Sequence, residues 1–251
     1  MFLDKIRREI RFRRLQTAHR RTGRMFVTDV LKTADAATDS KGSVEALADA
    51  ISRGMKIWPG TDLSLEEQVY ERQKPLHYIK LQLQLLRHIS GKIIVEIGSS
   101  RSPMRHGIDE FDPSCCNDGH STYHWASPGK FEVHTVDICP DSKALLDKAA
   151  LPNLTAHTCD GIAFLEDWKG GSIDFLFLDA WDVGVPDYAE KHLEAFHAVK
   201  GKLAARHIIG IDDTDFLGDG KGKLLVPVLR SLGYRQVVEG RQTVFINFDI
   251  P

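Results

Sequence analysis

From Gly91 onward the chain alternates short apolar runs with longer stretches of mixed polarity. The runs fall at 93–97, 133–136, 154–158, 173–178, 208–211, 235–238 and 243–247. They are rich in β-branched and aromatic residues, as strands covered on both faces must be. Between them, residues 141–149, 161–167, 187–199 and 223–232 read as helices. Such alternation predicts an α/β fold: a Rossmann-like, seven-stranded, mostly parallel sheet with helices on both faces. Only Glu239-Gly240-Arg241 separates the last two runs. A parallel crossover needs far more chain, so these two strands form an antiparallel hairpin. Upstream, Pro75 opens a helix whose apolar face is Leu76, Ile79, Leu83, Leu86 and Ile89.

Two segments depart from the pattern. Residues 1–54 form an N-terminal extension, and 55–251 form the α/β domain. Within residues 2–24 Lys5, Arg7, Arg8, Arg11, Arg13, Arg14, Arg20, Arg21 and Arg24 stand against only Asp4 and Glu9. Leu3, Ile6 and Ile10 recur at helical spacing, which predicts a basic amphipathic helix. It can pack on its own domain, pair with a second copy, or lie on an anionic membrane surface. Ser43 then caps a second helix that ends at Gly54. The other departure is 102–130, rich in Gly, Pro, Asp, His and Cys. A long insertion directly after a ligand-binding turn suggests a lid or substrate loop.

Composition narrows the classes. With 33 basic and 35 acidic residues among 251, net charge is -2, so no global affinity for polyanions is expected. The four cysteines form no framework, which favours a reduced, cytoplasmic setting, with membrane-peripheral attachment as the alternative. No apolar run approaches the roughly 18 residues a membrane span needs. His106, His120 and His124 with Cys115 and Cys116 match no common zinc spacing.

The chemical signal is a row of acids at strand ends. Glu96 and Gly98 close the first run, Asp137 the second, Asp160 the third, Asp179 the fourth, and Asp212-Asp213 the fifth. In a parallel sheet all these ends share one edge. Carboxylates gathered there repel one another unless a cation or hydrogen-bond donors hold them. A single acid after a strand is often only a helix cap. Gly218-Asp219-Gly220-Lys221-Gly222-Lys223 is no phosphate loop, because the residue after Lys221 is not Ser or Thr. It reads as a flexible surface loop beside the substrate, where Lys221 and Lys223 favour an anionic acceptor. Trp181 is either a packing residue or a wall of the acceptor pocket.

Glu96-Ile97-Gly98, Asp137, Asp160-Gly161 and Asp179-Ala180-Trp181 together resemble the class I S-adenosylmethionine-dependent methyltransferases, over residues 75–251. The resemblance implies that Glu96, Gly98, Ser99, Asp137, Asp160, Gly161 and Asp179 bind S-adenosylmethionine, with Asp137 on the ribose hydroxyls. It implies that Ser121 and Thr122 open the first helix near the cofactor, the glycine-rich turn being split between Gly98 and Gly119. Asp179, Asp212 and Asp213 are similar to the Mg²⁺ ligands of metal-dependent O-methyltransferases. Two uses of these acids stay open: magnesium holding an acceptor hydroxyl, or a metal-free general base. Asp179, Asp212 and His120 are the candidate catalytic residues. The implied reaction is O-methylation of a small molecule or glycan, with nucleic acid an unlikely partner and a homo-oligomer through the N-terminal helices open. The competing class is a non-catalytic cofactor-binding module that works through its basic helix. Dinucleotide binding is disfavoured, because Gly98 is followed by Ser-Ser-Arg-Ser and the GxGxxG fingerprint is absent.

Overall fold

The computed structural model describes residues 75–101, 120–127, 129–215 and 220–250. The N-terminal extension lies outside these residues, as do His106, Cys115, Cys116 and Gly119. The elements run α1 (Pro75–His88), β1 (Ile93–Ile97), α2 (Ser121–Ala126), β2 (Glu132–Asp137), α3 (Pro140–Ala149) and β3 (Leu154–Thr158). They continue through α4 (Gly161–Asp167), β4 (Ile173–Leu178), α5 (Tyr188–Val199), β5 (Leu203–Ile211), α6 (Leu225–Ser231), β6 (Arg235–Val238) and β7 (Thr243–Ile246).

Seven strands make one sheet in the order β3-β2-β1-β4-β5-β7-β6. β1 pairs in parallel with β2 and β4, and β5 joins β4 in parallel. β7 is antiparallel to both β5 and β6, so the hairpin folds back and its second strand lies innermost. The fold is therefore the expected Rossmann-like α/β sheet. β1 and β4 sit at its centre, and the order reverses between β1 and β4 as in doubly wound folds.

Strand periodicity sorts the core into two layers. Ile94, Phe175, Phe177, Ile208 and Val244 pack beneath α1 and Trp125 of α2. Val95, Ile97, Leu176, Leu178 and Ile209 face the other way, against Leu165, Phe196 and Leu229 from α4, α5 and α6. Gly210 of β5 has no room for a Cβ, because the Gln82 side-chain oxygen occupies that space. Gln82 in turn donates to Gln242 at 2.8 Å, linking α1 to the start of β7.

One expectation is met and one is corrected. Ser121 and Thr122 open a helix over 121–126, whose Trp125 is fully buried in the core; residues 102–119, on which the lid reading rests, lie outside the described residues. The glycine-lysine segment is no exposed loop in its described part. Gly220–Gly222 form a 3₁₀ turn whose three residues are buried, while Gly218 and Asp219 lie outside the described residues. β5 also begins earlier than its apolar run, at Leu203, which pairs with Ile173 of β4; residues 205 and 206, with exposed side chains, fall where the β4–β5 register shifts. Among the described residues, no helix is long and apolar enough to cross a membrane.

Candidate cofactor and acceptor site

A cavity of about 360 Å³ opens at the carboxyl edge of β1, β2, β4 and β5. Gly98, Ser99, Ser121, Asp137, Gly161, Asp179, Asp212 and Asp213 all lie on its wall. Asp137 and the acids after β4 and β5 thus share one cavity, although 42 or more positions separate them in the chain.

The β1 end is built by main-chain contacts. Gly98 adopts a positive φ of 96°. A Cβ there would meet the Asp179–Ala180 main chain at 2.7–2.8 Å. The glycine therefore serves the close approach of two loops, where the sequence suggested close approach of a ligand. Gly161 has a similar reason, since a Cβ would run into the Ile97 side chain.

Asp137 is held by one N–H on each oxygen: Ser99 N donates at 3.2 Å and Cys139 N at 2.8 Å. A carboxylate has about four acceptor positions, so capacity for two more donors remains. That suits a ligand with paired hydroxyls.

Glu96 is different. It is fully buried and does not reach the cavity. Ser121 Oγ donates to Oε1 at 2.6 Å and Trp125 Nε1 at 2.9 Å; Thr122 Oγ1 and Thr135 Oγ1 donate to Oε2 at 2.6 and 2.7 Å. With four donors no acceptor position is left for a ligand. Burial raises its pKa to about 7, and the four hydrogen bonds oppose that rise. Thr122 is also fully buried, and it accepts from Ser100 N at 3.1 Å. Glu96 and Thr122, placed against the cofactor by the resemblance, instead tie α2 to β1 and β2 behind the wall.

Asp160 caps α4, accepting from the Ile162 and Ala163 N–H groups at 2.9 and 3.0 Å. It is off the wall, while its neighbours Cys159 and Gly161 are on it. His120 precedes α2 with a left-handed backbone, φ 52°. It is buried off the wall, its ring edge-on to Tyr123 at 5.9 Å. Neither position brings the side chain to the cavity.

Across the cavity, Asp179, Asp212 and Asp213 bring one oxygen each within 4.8 Å of the others. Two cations accompany them, and neither was singled out as their partner from the sequence. Lys221 is 1 % exposed. Its Nζ donates to Asp179 Oδ1 at 2.6 Å and to the Asp179 carbonyl at 2.9 Å, and lies 3.4 Å from Asp213 Oδ2. Arg241 Nη2 lies 3.2 Å from Asp213 Oδ1. Its Nε is 3.9 Å from Asp212 Oδ1, too far for a hydrogen bond, and both atoms are buried without a partner.

Burial pushes all three acids up, Asp212 to about 6, where the Asp179 charge adds to the rise. Burial would lower Lys221, but Asp179, Asp212 and Asp213 outweigh it and raise the ammonium above its ordinary value. Lys221 therefore stays charged. Its glycine-flanked position gave no sign of burial in the sequence, and Arg241 lay hidden in a hairpin turn.

The three acids offer the hard oxygens a divalent ion prefers. Yet a lysine ammonium already holds the place between Asp179 and Asp213. As arranged, the residues do not fit a second cation there.

Trp181 lies on the cavity wall, in a left-handed conformation of φ 50°, with His192 edge-on at 5.3 Å.

No family model matches the sequence, and no curated protein matches it. Solved structures do. One is a Staphylococcus aureus protein provisionally described as a caffeoyl-CoA O-methyltransferase: 15% identity, 67% of this chain, 81% of that one, TM-score 0.48. Another is cofactor-bound Rv0187 from MTB: 16% identity, 82% of this chain, 87% of that one, TM-score 0.43. A third is an rRNA methylase from Streptococcus thermophilus: 12% identity, 67% and 94% coverage, TM-score 0.45. At such identities the likeness concerns fold and nothing finer. The strand order with its antiparallel seventh strand gives this chain the Rossmann-like fold of the class I S-adenosylmethionine-dependent methyltransferases.

Proposed function

We propose that the protein is an S-adenosylmethionine-dependent methyltransferase acting on a hydroxyl of a small molecule or sugar. The observation that carries this is one cavity with a half-satisfied Asp137 on one side and the Asp179, Asp212 and Asp213 carboxylates on the other. At about 360 Å³ it falls within the range of small-ligand sites.

The residues present suit the cofactor. Asp137 has two acceptor positions for ribose hydroxyls, and the exposed Ile138 gives an apolar wall beside it. S-Adenosylmethionine bound there supplies an electrophilic methyl group on a sulfonium. Asp212, on the cavity wall, is the carboxylate placed to take the proton of an attacking hydroxyl. Gln242, also on the wall and anchored through Gln82, fixes the edge of the acceptor side. The acceptor oxygen gains the methyl group, the carbon–sulfur bond breaks, and the proton goes to Asp212.

Four carboxylates, Asp179, Asp182, Asp212 and Asp213, stand against three cations, Arg101, Lys221 and Arg241, in this half of the cavity. That favours a neutral polyol over the anionic acceptor suggested by Lys221 and Lys223 in the sequence.

The test is methyl transfer from labelled S-adenosylmethionine to a panel of hydroxylated acceptors. Product with wild type and loss of product in Asp212→Asn, at unchanged cofactor affinity, are expected. Cofactor binding with no turnover on any acceptor would favour the non-catalytic module.

A further inference from the structure

We infer that Lys221 is the resident cation of the Asp179–Asp212–Asp213 cage, a built-in replacement for a divalent ion. Methyl transfer, on the reading above, then proceeds without a metal.

Four observations carry this. The ammonium bridges two acids of the cage, in contact with Asp179 and 3.4 Å from Asp213, with Asp182 Oδ1 at 3.8 Å. Two of its hydrogens go to Asp179 Oδ1 and the Asp179 carbonyl, and Asp213 Oδ2 lies 3.4 Å away as an ion-pair partner. It is buried and off the cavity wall, so Lys221 is a positioning residue. The side chain is also not free to leave. Lys221 N donates to the Asp213 carbonyl at 3.1 Å, binding the 3₁₀ turn to one of the acids it neutralises.

The turn itself is shaped for this closure. Gly220 has φ 49°, and a Cβ there would collide with the Asp213 carbonyl oxygen. Asp213 likewise adopts φ 47°. Two consecutive segments therefore bend to bring a lysine backbone against an aspartate backbone, and the ammonium follows. A lysine from a solvated loop would need none of this. Arg241 completes the arrangement from the β6–β7 hairpin, on the far side of Asp213.

The arrangement predicts a conversion. Removing the ammonium while keeping the side-chain volume should leave three carboxylates with nothing between Asp179 and Asp213, which is a site for a hard cation. The probe is Mn²⁺, followed by the paramagnetic resonance signal of the free ion, on full-length protein previously dialysed against EDTA. Wild type should leave the free-ion signal unchanged. Lys221→Met should take up about one ion per chain, at least about tenfold more tightly than wild type, and a second change, Asp213→Asn, should abolish that uptake. Uptake by wild type that Asp213→Asn removes would overturn the inference. So would a cooperatively folded Lys221→Met that takes up no ion.

If Lys221→Met does not fold, the wild-type titration and wild-type turnover in EDTA decide. Full activity in EDTA is expected; loss restored by Mn²⁺ or Mg²⁺ would overturn the inference. Calorimetry of cofactor binding on the same samples separates the two proposals. A protein that ignores S-adenosylmethionine removes the methyltransferase reading, while the Mn²⁺ result still decides the role of Lys221.

Discussion

Two acid centres, one fully buried and one partly buried, lie at the same edge of the sheet and are stabilised in opposite ways. Glu96 is met by four neutral donors, two hydroxyls from α2, one from β2 and an indole N–H. Asp179, Asp212 and Asp213 are met by an ammonium and a guanidinium. Neutral donors can match a carboxylate oxygen for oxygen, and Glu96 is left with no capacity to bind anything else. Cations neutralise charge without exhausting geometry. Asp212 Oδ1 remains unpartnered although Arg241 is 3.9 Å away. A saturated acid behaves as a fastener, and an acid with acceptor capacity to spare can act on a ligand. The cavity wall draws the same line: it includes the three aspartates and excludes Glu96.

The contrast breaks most sharply at Asp212. Asp212→Asn should lower kcat by about 100-fold or more, the usual scale for losing a positioned general base. Cofactor affinity should stay within about twofold, since no cofactor contact is asked of it. Stability should not fall, because one of three mutually repelling acids is neutralised. Near-normal kcat would place the proton acceptor elsewhere.

Glu96→Gln should show the reverse profile. Its amide would set an N–H₂ against two of the four donors. A buried donor pair left unsatisfied should cost about 2–3 kcal/mol of unfolding free energy in urea. Any loss of turnover should track the folded fraction. Stability should also depend on pH through this residue. Burial holds its folded pKa at about 7, above the ordinary 4.5. The folded state then keeps a proton that the unfolded chain gives up. Glu96 accordingly favours folding below pH 4.5, and that contribution is lost as pH rises through 7. The decline between pH 5 and 8 should be shallower in Glu96→Gln. Parallel pH profiles for the two proteins would mean that the four donors keep the carboxylate ionised throughout.

Asp137 stands between the extremes, held by two N–H groups and half free. Asp137→Ala should weaken S-adenosylmethionine by about tenfold, the worth of hydrogen bonds to a charged acceptor, as read by calorimetry. Unchanged affinity would remove it from the ribose role.

This division also marks how much the sequence could disclose. Strands and helices were legible because burial on both faces forces continuous apolar runs, and β3, β4 and β6 have the bounds those runs imply. The edge on which the acids gather followed from parallel pairing alone. Which acid faces the ligand did not. Glu96 and Ile94 share one face of β1, and only the packing of α2 on that face covers Glu96. Nor could spacing show that Lys221, eight residues after Asp213, folds back onto it. Glycines on both sides suggest mobility in one dimension; in three they permit a positive φ at Gly220 and a tight return.

Asp160 gives the smallest test of the contrast. It follows β3 as Asp137 follows β2, and the sequence resemblance assigned both to the cofactor. Yet its Oδ1 accepts both capping N–H groups of a seven-residue helix, and it stays off the wall. Loss of an N-cap costs about 1 kcal/mol, less than an unsatisfied buried pair. Asp160→Ala should lower stability by about that amount and leave S-adenosylmethionine affinity unchanged. Asp160→Asn should restore most of the loss, because an amide oxygen caps nearly as well. If affinity drops about tenfold in both variants while stability is rescued in the second, the charge of Asp160 reaches the ligand after all. The wall at β3 would then extend past Gly161 to include its neighbour.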